Sequence, residues 1–172
     1  GVIYGGAGYV NDATRGDVLD LDGVNDYVNV GAIDLSNVDF TILFWGKELS
    51  VDRNAHYGIS STSSNGNFRF GRNDNNIYFR SSAGGFSIST TVSGWGEWHH
   101  YVAVLNSSDA SVYIDGVYIS GDGTVSSLFT ASSTTDVGRR GSRYWNGTLG
   151  DVMIFNRSLS VDEINDIYDA QL

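Results

Sequence analysis

WNGTLGDVMIFNRSLSVDEINDIY, residues 145–168, sets a strand directly before a helix. Thr148–Phe155 is rich in β-branched and aromatic residues and follows an Asn-Gly turn signal, which predicts a strand. Ser160 with Glu163 three residues later spells a capping box, and Leu159 against Ile164 fits a hydrophobic staple. In the stretch 159–172, LSVDEINDIYDAQL, Ile164, Ile167 and Tyr168 share one helical face while Asp162, Asp166 and Asp169 fall elsewhere. Asp162 and Glu163 also suit the positive end of the helix dipole. So short an amphipathic helix needs a sheet to pack on, and the rest of the chain must supply it.

Upstream, period-two alternation predicts strands at Val2–Val10, Val18–Leu21, Tyr27–Val30, Phe40–Lys47, His56–Ser60, Asn67–Gly71 and Ile77–Ser81. Further strands are predicted at Phe86–Thr90, Trp98–Leu105, Ser111–Ile114, Val117–Ser120 and Thr135–Gly138. Asp22-Gly23, Asn65-Gly66, Asp115-Gly116 and Asn146-Gly147 mark turns, and Asp115-Gly116 supplies the positive φ that a tight primed hairpin requires. Residues 60–67, SSTSSNGN, read as a hairpin tip or rim loop, and no repeat or linker divides the chain. The expectation is an all-β protein: one domain spanning 1–172, a two-sheet antiparallel sandwich with one short C-terminal helix.

With 172 residues, of which 41% are hydrophobic and 13% aromatic, the chain can build one core but hardly two. No apolar run approaches the ~20 residues of a membrane span, so no membrane insertion is expected. Nothing at the N-terminus reads as a secretory signal, which suggests a mature product or an excised domain. A net charge of −10 argues against nucleic acid and fits cations, neutral glycans or basic partners. Without Cys there is no disulfide framework, thiol nucleophile or thiolate metal site. Sequons at Asn106, Asn146 and Asn156 carry little weight, since an Asn- and Ser/Thr-rich chain of this size gives about three by chance.

Five segments in order, VLDLDGVNDYVNVG, FTILFWGK, WHHYVAVL, SVYIDGV and WNGTLGDVMIFNRSLSVDEINDIY, resemble the LamG-like jelly-roll domains of the concanavalin A-like lectin/glucanase superfamily. The resemblance runs from about Val2 to Tyr168, and its last segment is the most specific. It implies a two-sheet jelly roll, usually appended to secreted or cell-surface proteins, that recognises glycans or proteins and often carries calcium at the sandwich edge. Such a fold hosts lectins, glycosidases and plain spacers alike.

In LDLDGVNDYVNVG, residues 19–31, Asp20, Asp22, Asn25 and Asp26 crowd around one glycine. Calcium takes six to eight oxygens at once. In the resembling domains this acidic turn lies near the last long strand, so the resemblance implies a structural Ca2+ held by Asp22, Asn25, Asp26, a carbonyl near Gly23, and Asp151. The same residues are equally well explained as turn formers whose side chains bond their own backbone. Asp20 is expected in solvent.

Catalytic constellations are missing from the sequence, and no enzymatic activity is expected. The glucanases of the superfamily carry Glu-x-Asp-x-x-Glu on one strand, whereas Glu48, Glu97 and Glu163 are isolated and Glu163 is already a cap. There is no Gly-x-Ser-x-Gly elbow, P-loop or dinucleotide fingerprint. His99 and His100, adjacent on a strand, point to opposite faces and cannot chelate one ion together; the resemblance places them on a core strand, which implies one buried and bonded and the other on the opposite face. His56 shows no partner in the sequence.

The strongest recognition signal is GRRGSRYWNG, residues 138–147. It gathers Arg139, Arg140, Arg143 and Tyr144 in one loop of an acidic chain; Arg forks suit carboxylates or sulfates, and aromatic faces suit sugar rings. In the resembling domains the aromatic before Asn-Gly tucks into the core, which implies a buried Trp145, while Trp95, flanked by glycines, is expected exposed and joins the candidate ligand-binding residues. Arg69, Arg72 and Arg80 alternate with Phe68, Phe70 and Phe79, forming either a solvated sheet face or the floor of a ligand groove. The expectation is thus a non-catalytic extracellular recognition or adhesion module, secreted or on a cell surface, binding a glycan or a cell-surface protein. The alternative is a structural subunit or spacer of a surface assembly that contacts copies of itself.

Overall fold

The structure, a computed structural model, describes residues 1–35, 38–49, 55–62, 68–73, 76–81, 86–94, 96–107, 109–123, 125 and 134–172. In chain order its elements are β1 (Val2–Tyr4), β2 (Gly8–Asp12), β3 (Gly16–Asp22), β4 (Tyr27–Gly31), β5 (Phe40–Glu48) and β6 (Ala55–Thr62). There follow β7 (Phe68–Asn73), β8 (Asn76–Ser81), β9 (Ser87–Thr91), β10 (His99–Leu105), β11 (Ala110–Ile114) and β12 (Val117–Asp122). The chain closes with β13 (Thr134–Val137), β14 (Arg139–Arg140), β15 (Arg143–Tyr144), β16 (Asn146–Phe155) and α1 (Val161–Ala170). One seven-stranded sheet has the order β1-β4-β13-β6-β7-β8-β9 and the other β12-β11-β10-β5-β16-β3-β2, while β14 and β15 form a separate small hairpin. Every neighbouring pair is antiparallel, and the two large sheets make a sandwich.

Alternation along the strands builds the core between the sheets. Ile59, Phe70, Phe79 and Ile88 from one sheet meet Ile42, Phe44, Tyr101 and Leu149 from the other, all buried. β5 is apolar on both faces because both are covered. Its other face, with Leu43, lies in a second cluster with Val102, Val104, Tyr113, Leu159 and Ile164, which is where α1 packs. Trp45, also on that face, stacks on Tyr168 at 5.7 Å, and its Nε1 donates to Gln171 Oε1 at 2.8 Å. The run FTILFW therefore reads as continuously hydrophobic for a tertiary reason.

Helix α1 starts as its sequence requires. The Glu163 amide donates to Ser160 Oγ at 3.2 Å, the Ser160 amide donates to Glu163 Oε2 at 2.9 Å, and Leu159 and Ile164 are buried in one cluster. Ser160→Ala is expected to cost about 1 kcal/mol, read as a lowered urea midpoint with unchanged slope and unchanged ligand binding. The Asp115-Gly116 hairpin also forms, with φ of 52° and 76° and Ile114 opposite Val117.

The N-terminal expectation fails. Val2–Val10 is two strands in different sheets, not one, because the chain turns at Gly5 with φ 72° and the Gly6 amide donates to the Asp26 carboxylate. The Arg-rich stretch expected as a loop contains the hairpin β14–β15.

Candidate functional site

The outer face of the first sheet carries the site. Strand register aligns Tyr57 with Gly71, Gly71 with Tyr78, and Tyr78 with Ser89, so these four form one row across β6–β9. The next row of that face aligns Ser60, Arg69, Arg80 and Ser87. The intervening row, Ile59, Phe70, Phe79 and Ile88, points into the core. Gly71 is required where it stands. The ladder slips between Tyr57 and Ile59, and a Cβ on Gly71 would lie 2.1 Å from the His56 carbonyl oxygen. With no side chain between them, the Tyr57 and Tyr78 rings meet edge to face at 5.5 Å.

The small hairpin is folded against β6. The Gly138 amide donates to Gly58 O at 2.9 Å, and Ser60 Oγ donates to Arg139 O at 2.8 Å. Gly138 and Gly141 adopt φ of 83° and 61°, left-handed backbone that side-chain-bearing residues rarely tolerate. The hairpin thereby brings Arg143 Nη1 to 3.5 Å from the Tyr57 hydroxyl and the Arg140 guanidinium to 5.8 Å from the Tyr57 ring. From β8, Arg80 lies 5.6 Å over the Tyr78 ring. The result is a hollow of about 120 Å³ lined by Tyr57, Tyr78, Arg69, Arg80 and Arg143, with Asn76 and Ser89 completing it. Among the described residues, no carboxylate lines it.

The electrostatics follow from that lining. Burial pushes the Tyr57 hydroxyl up, but the Tyr78 hydroxyl and the Arg143, Arg140 and Arg69 guanidiniums outweigh it and hold Tyr57 below its ordinary value. Burial pushes Tyr78 up. Tyr78 is 5% exposed, and its hydroxyl makes no hydrogen bond of standard geometry.

The expected recognition residues separate. Arg143 lines the hollow, and Arg140 lies beside it, 5.8 Å from the Tyr57 ring. Arg139 does not: its Nε and Nη2 donate to Asp136 Oδ2 at 3.0 and 2.8 Å, and its guanidinium lies 3.6 Å over the Tyr27 ring. Tyr144 also turns that way, 6.4 Å from Tyr27. Trp145 is fully buried, as expected. Trp95 lies outside the described residues, although Arg72 Nη1 donates to Gly94 O and the Gly96 amide donates to Glu48 O on either side of it. Arg69 and Arg80 share the outer face, but Arg72 is one residue out of phase and buried between the sheets. Its Nε lies 3.7 Å from Glu48 Oε2, its Nη1 donates to the Tyr101 hydroxyl at 3.1 Å, and His56 Nδ1 contacts Glu48 Oε1. His56 thus has a partner that only the fold supplies. Tyr57 and Tyr78 escaped sequence reasoning, although Tyr78 between Ile77 and Phe79 must face away from the core.

Of the expected calcium ligands, Asp22, Asn25 and Asp26 share one turn and Asp151 lies apart from them. Asp22 Oδ1 accepts from the Val24 and Asn25 amides, which hold its carboxyl below its ordinary value, as a polar turn requires. Asp26 is buried with its two oxygens accepting from the Gly6 and Asp22 amides. Register places Asn146 opposite Asp22, so Asp151 lies five residues further along β16, about 16 Å away at ~3.3 Å per residue. Among the described residues, no group of three or more His, Cys, Asp or Glu side chains is placed to hold a metal ion.

His100 is buried as expected but stacked rather than bonded, 5.1 Å from the Trp45 ring, and burial pushes its imidazole down to about 4. His99 is the bonded one, with Nδ1 2.7 Å from Asp115 Oδ2. Of the glutamates, Glu48 is buried with His56 and Arg72, Glu163 caps α1, and Glu97 is exposed. No helix among the described residues is long and apolar enough to cross a membrane.

A family model described as the Concanavalin A-like lectin/glucanases superfamily matches residues 22–165. No curated protein sequence matches the chain. Among solved structures, domain 4 of AbnA, a GH43 extracellular arabinanase from Geobacillus stearothermophilus in complex with arabinotriose, superposes with a TM-score of 0.77. That match has 16% identity and covers 96% of this chain and 82% of that one. The binding domain of botulinum neurotoxin DC in complex with SialylT superposes with a TM-score of 0.82 at 16% identity, covering 99% of this chain and 46% of that one. The same domain in complex with rat synaptotagmin II gives 0.79 at 15% identity, covering 99% and 46%. The chain spans about half the length of the toxin binding domains, and at these identities the likeness is one of fold.

Proposed function

The chain belongs to the Concanavalin A-like lectin/glucanases superfamily, and from that premise we propose that it is a non-catalytic, extracellular carbohydrate-recognition module acting through the outer face of its first sheet. The observation that carries this reading is the tyrosine–arginine hollow, whose lining residues are all polar and, among the described residues, include no pair of carboxylates for glycoside hydrolysis. Neighbours of the same fold are complexed with arabinotriose, with SialylT and with synaptotagmin II, which supports a glycan or a surface protein as the partner class. Secretion or display at a cell surface is part of the proposal, by analogy with the extracellular arabinanase. A structural calcium ion is not part of it, since Asp151 lies five residues along β16 from the partner of Asp22.

A second reading rests on the sheet edges. β1 and β2 are edge strands, and Val2, Ile3, Tyr4, Tyr9 and Val10 on them are exposed, a surface that suits copies of the chain or a neighbouring domain in an assembly. A glycan array separates the two. Specific binding to a defined glycan subset is expected; a blank array, with polymers visible by electron microscopy, would replace the module by the assembly subunit.

A further inference from the structure

The arginines of the hollow are placed at a cost that the rest of the molecule avoids. Arg69 and Arg80 are direct cross-strand partners, and like charges directly opposite on adjacent strands repel. The hairpin then adds Arg143 and Arg140 to the same patch. Carboxylates outnumber basic side chains in this chain by 20 to 10, so neutralising the patch from within is chemically easy. Three arginines elsewhere are neutralised in this way: Arg139 by Asp136, Arg157 by Glu163, and Arg72 by Glu48. Among the described residues, Arg69, Arg80 and Arg143 have no carboxylate within ion-pair distance.

One polar atom points the same way. Among the described residues, the buried Arg80 Nε–H has no hydrogen-bond acceptor. Buried donors are nearly always satisfied, by protein, by water or by a ligand. An oxyanion offers several acceptor lone pairs at once and removes the charge repulsion in the same step. Planar guanidinium forks match carboxylate and sulfate oxygens in pairs, which a neutral hydroxyl cannot do.

We infer that the hollow between Tyr57 and Tyr78 is an oxyanion subsite that takes the carboxylate or sulfate group of an acidic saccharide. Arg69, Arg80 and Arg143 hold the anionic group. Asn76 and Ser89, at the end of the hollow toward β9, accept and donate to sugar hydroxyls. The Tyr57 and Tyr78 rings, being buried, serve as a floor under the guanidiniums rather than as a stacking platform. This inference rests on the carbohydrate-recognition reading and narrows it to one ligand chemistry.

The test is calorimetric titration of the full chain with tri-galacturonate, a heparin-derived tetrasaccharide and neutral arabinotriose, at low and high NaCl. At least one acidic probe is expected to bind tenfold or more tightly than arabinotriose, by about the strength of one or two charge-assisted hydrogen bonds, with the advantage shrinking at high salt. The two acidic probes distinguish carboxylate from sulfate. The double variant Arg69→Ala/Arg80→Ala should lose the acidic preference and, having lost a repulsive pair, melt no lower than the parent. Arg157→Ala, remote on the Glu163 pair, should bind as the parent does. Equal affinity for acidic and neutral probes, or an acidic preference that survives the double variant, overturns the oxyanion subsite and leaves the carbohydrate module standing. A double variant that melts well below the parent also overturns it, because the arginines would then be structural. Failure of all three saccharides to bind overturns both readings.

Discussion

Glu48→Ala is expected to cost roughly 3–5 kcal/mol of folding stability, the range found when one partner of a buried charge cluster is removed. Glu48 sits on the second sheet, between His56 and Arg72 of the first, and all three are nearly inaccessible to water. Alanine leaves the Arg72 guanidinium buried without its counter-charge, with the Tyr101 hydroxyl and the Gly94 carbonyl still accepting from it. A domain typically has only about 5–15 kcal/mol in total, so the variant should lose a large share of it. Urea denaturation of the variant and parent measures this directly. A change below about 1 kcal/mol would mean that the cluster does not brace the two sheets. Glu48→Gln, which keeps the volume and an acceptor oxygen, should retain more stability than Glu48→Ala.

Trp145→Ala should be of similar size, roughly 3–5 kcal/mol, because it empties a large volume that the sandwich cannot close over. Trp145 is fully buried, edge to face with Phe44 at 5.8 Å and Tyr101 at 6.5 Å, and Gly46 makes room for it: a Cβ there would lie 2.9 Å from the indole. Its Nε1 has no hydrogen-bond partner, so Trp145→Phe removes volume without orphaning a polar group and should recover most of the loss. The effect should reach the candidate site as well. The Trp145 amide donates to Gly138 O at 2.8 Å, closing the hairpin that carries Arg140 and Arg143. Saccharide affinity should therefore fall in Trp145→Ala at temperatures where the variant is still folded. Unchanged affinity in the folded variant would show that the hairpin holds its position without the tryptophan.

What was legible in the sequence was local. The capping box of α1 joins residues three apart, and the Asp115-Gly116 hairpin needs only two residues with left-handed backbone. Alternation also placed Phe68, Phe70 and Phe79 inside, with Arg69 and Arg80 outside. Where reasoning stretched one pattern too far, it failed: Val2–Val10 alternates well enough for a single strand, yet Gly5 breaks it between two sheets. Arg72 was grouped with Arg69 and Arg80 although it differs from Arg69 by an odd number of residues, which period two assigns to the opposite face.

The sequence by itself determined most of the strands, the capped helix and the two-sheet architecture, because each follows from side-chain periodicity or from contacts a few residues long, while the burial of Trp145 was implied by the family resemblance. Only the tertiary structure decided which charges meet. β13 pairs with β6, so the hairpin that follows it at 139–144 is laid beside Tyr57, and β7 and β8 bring Arg69 and Arg80 to the same hollow from some 60 residues earlier in the chain. The same pairing sends Arg139 to Asp136 and away from the site, and the facing sheet supplies Glu48 to His56 and Arg72. Propensity and period act along the chain, whereas the sign of a charge's neighbour depends on register and sheet order, which no single segment encodes.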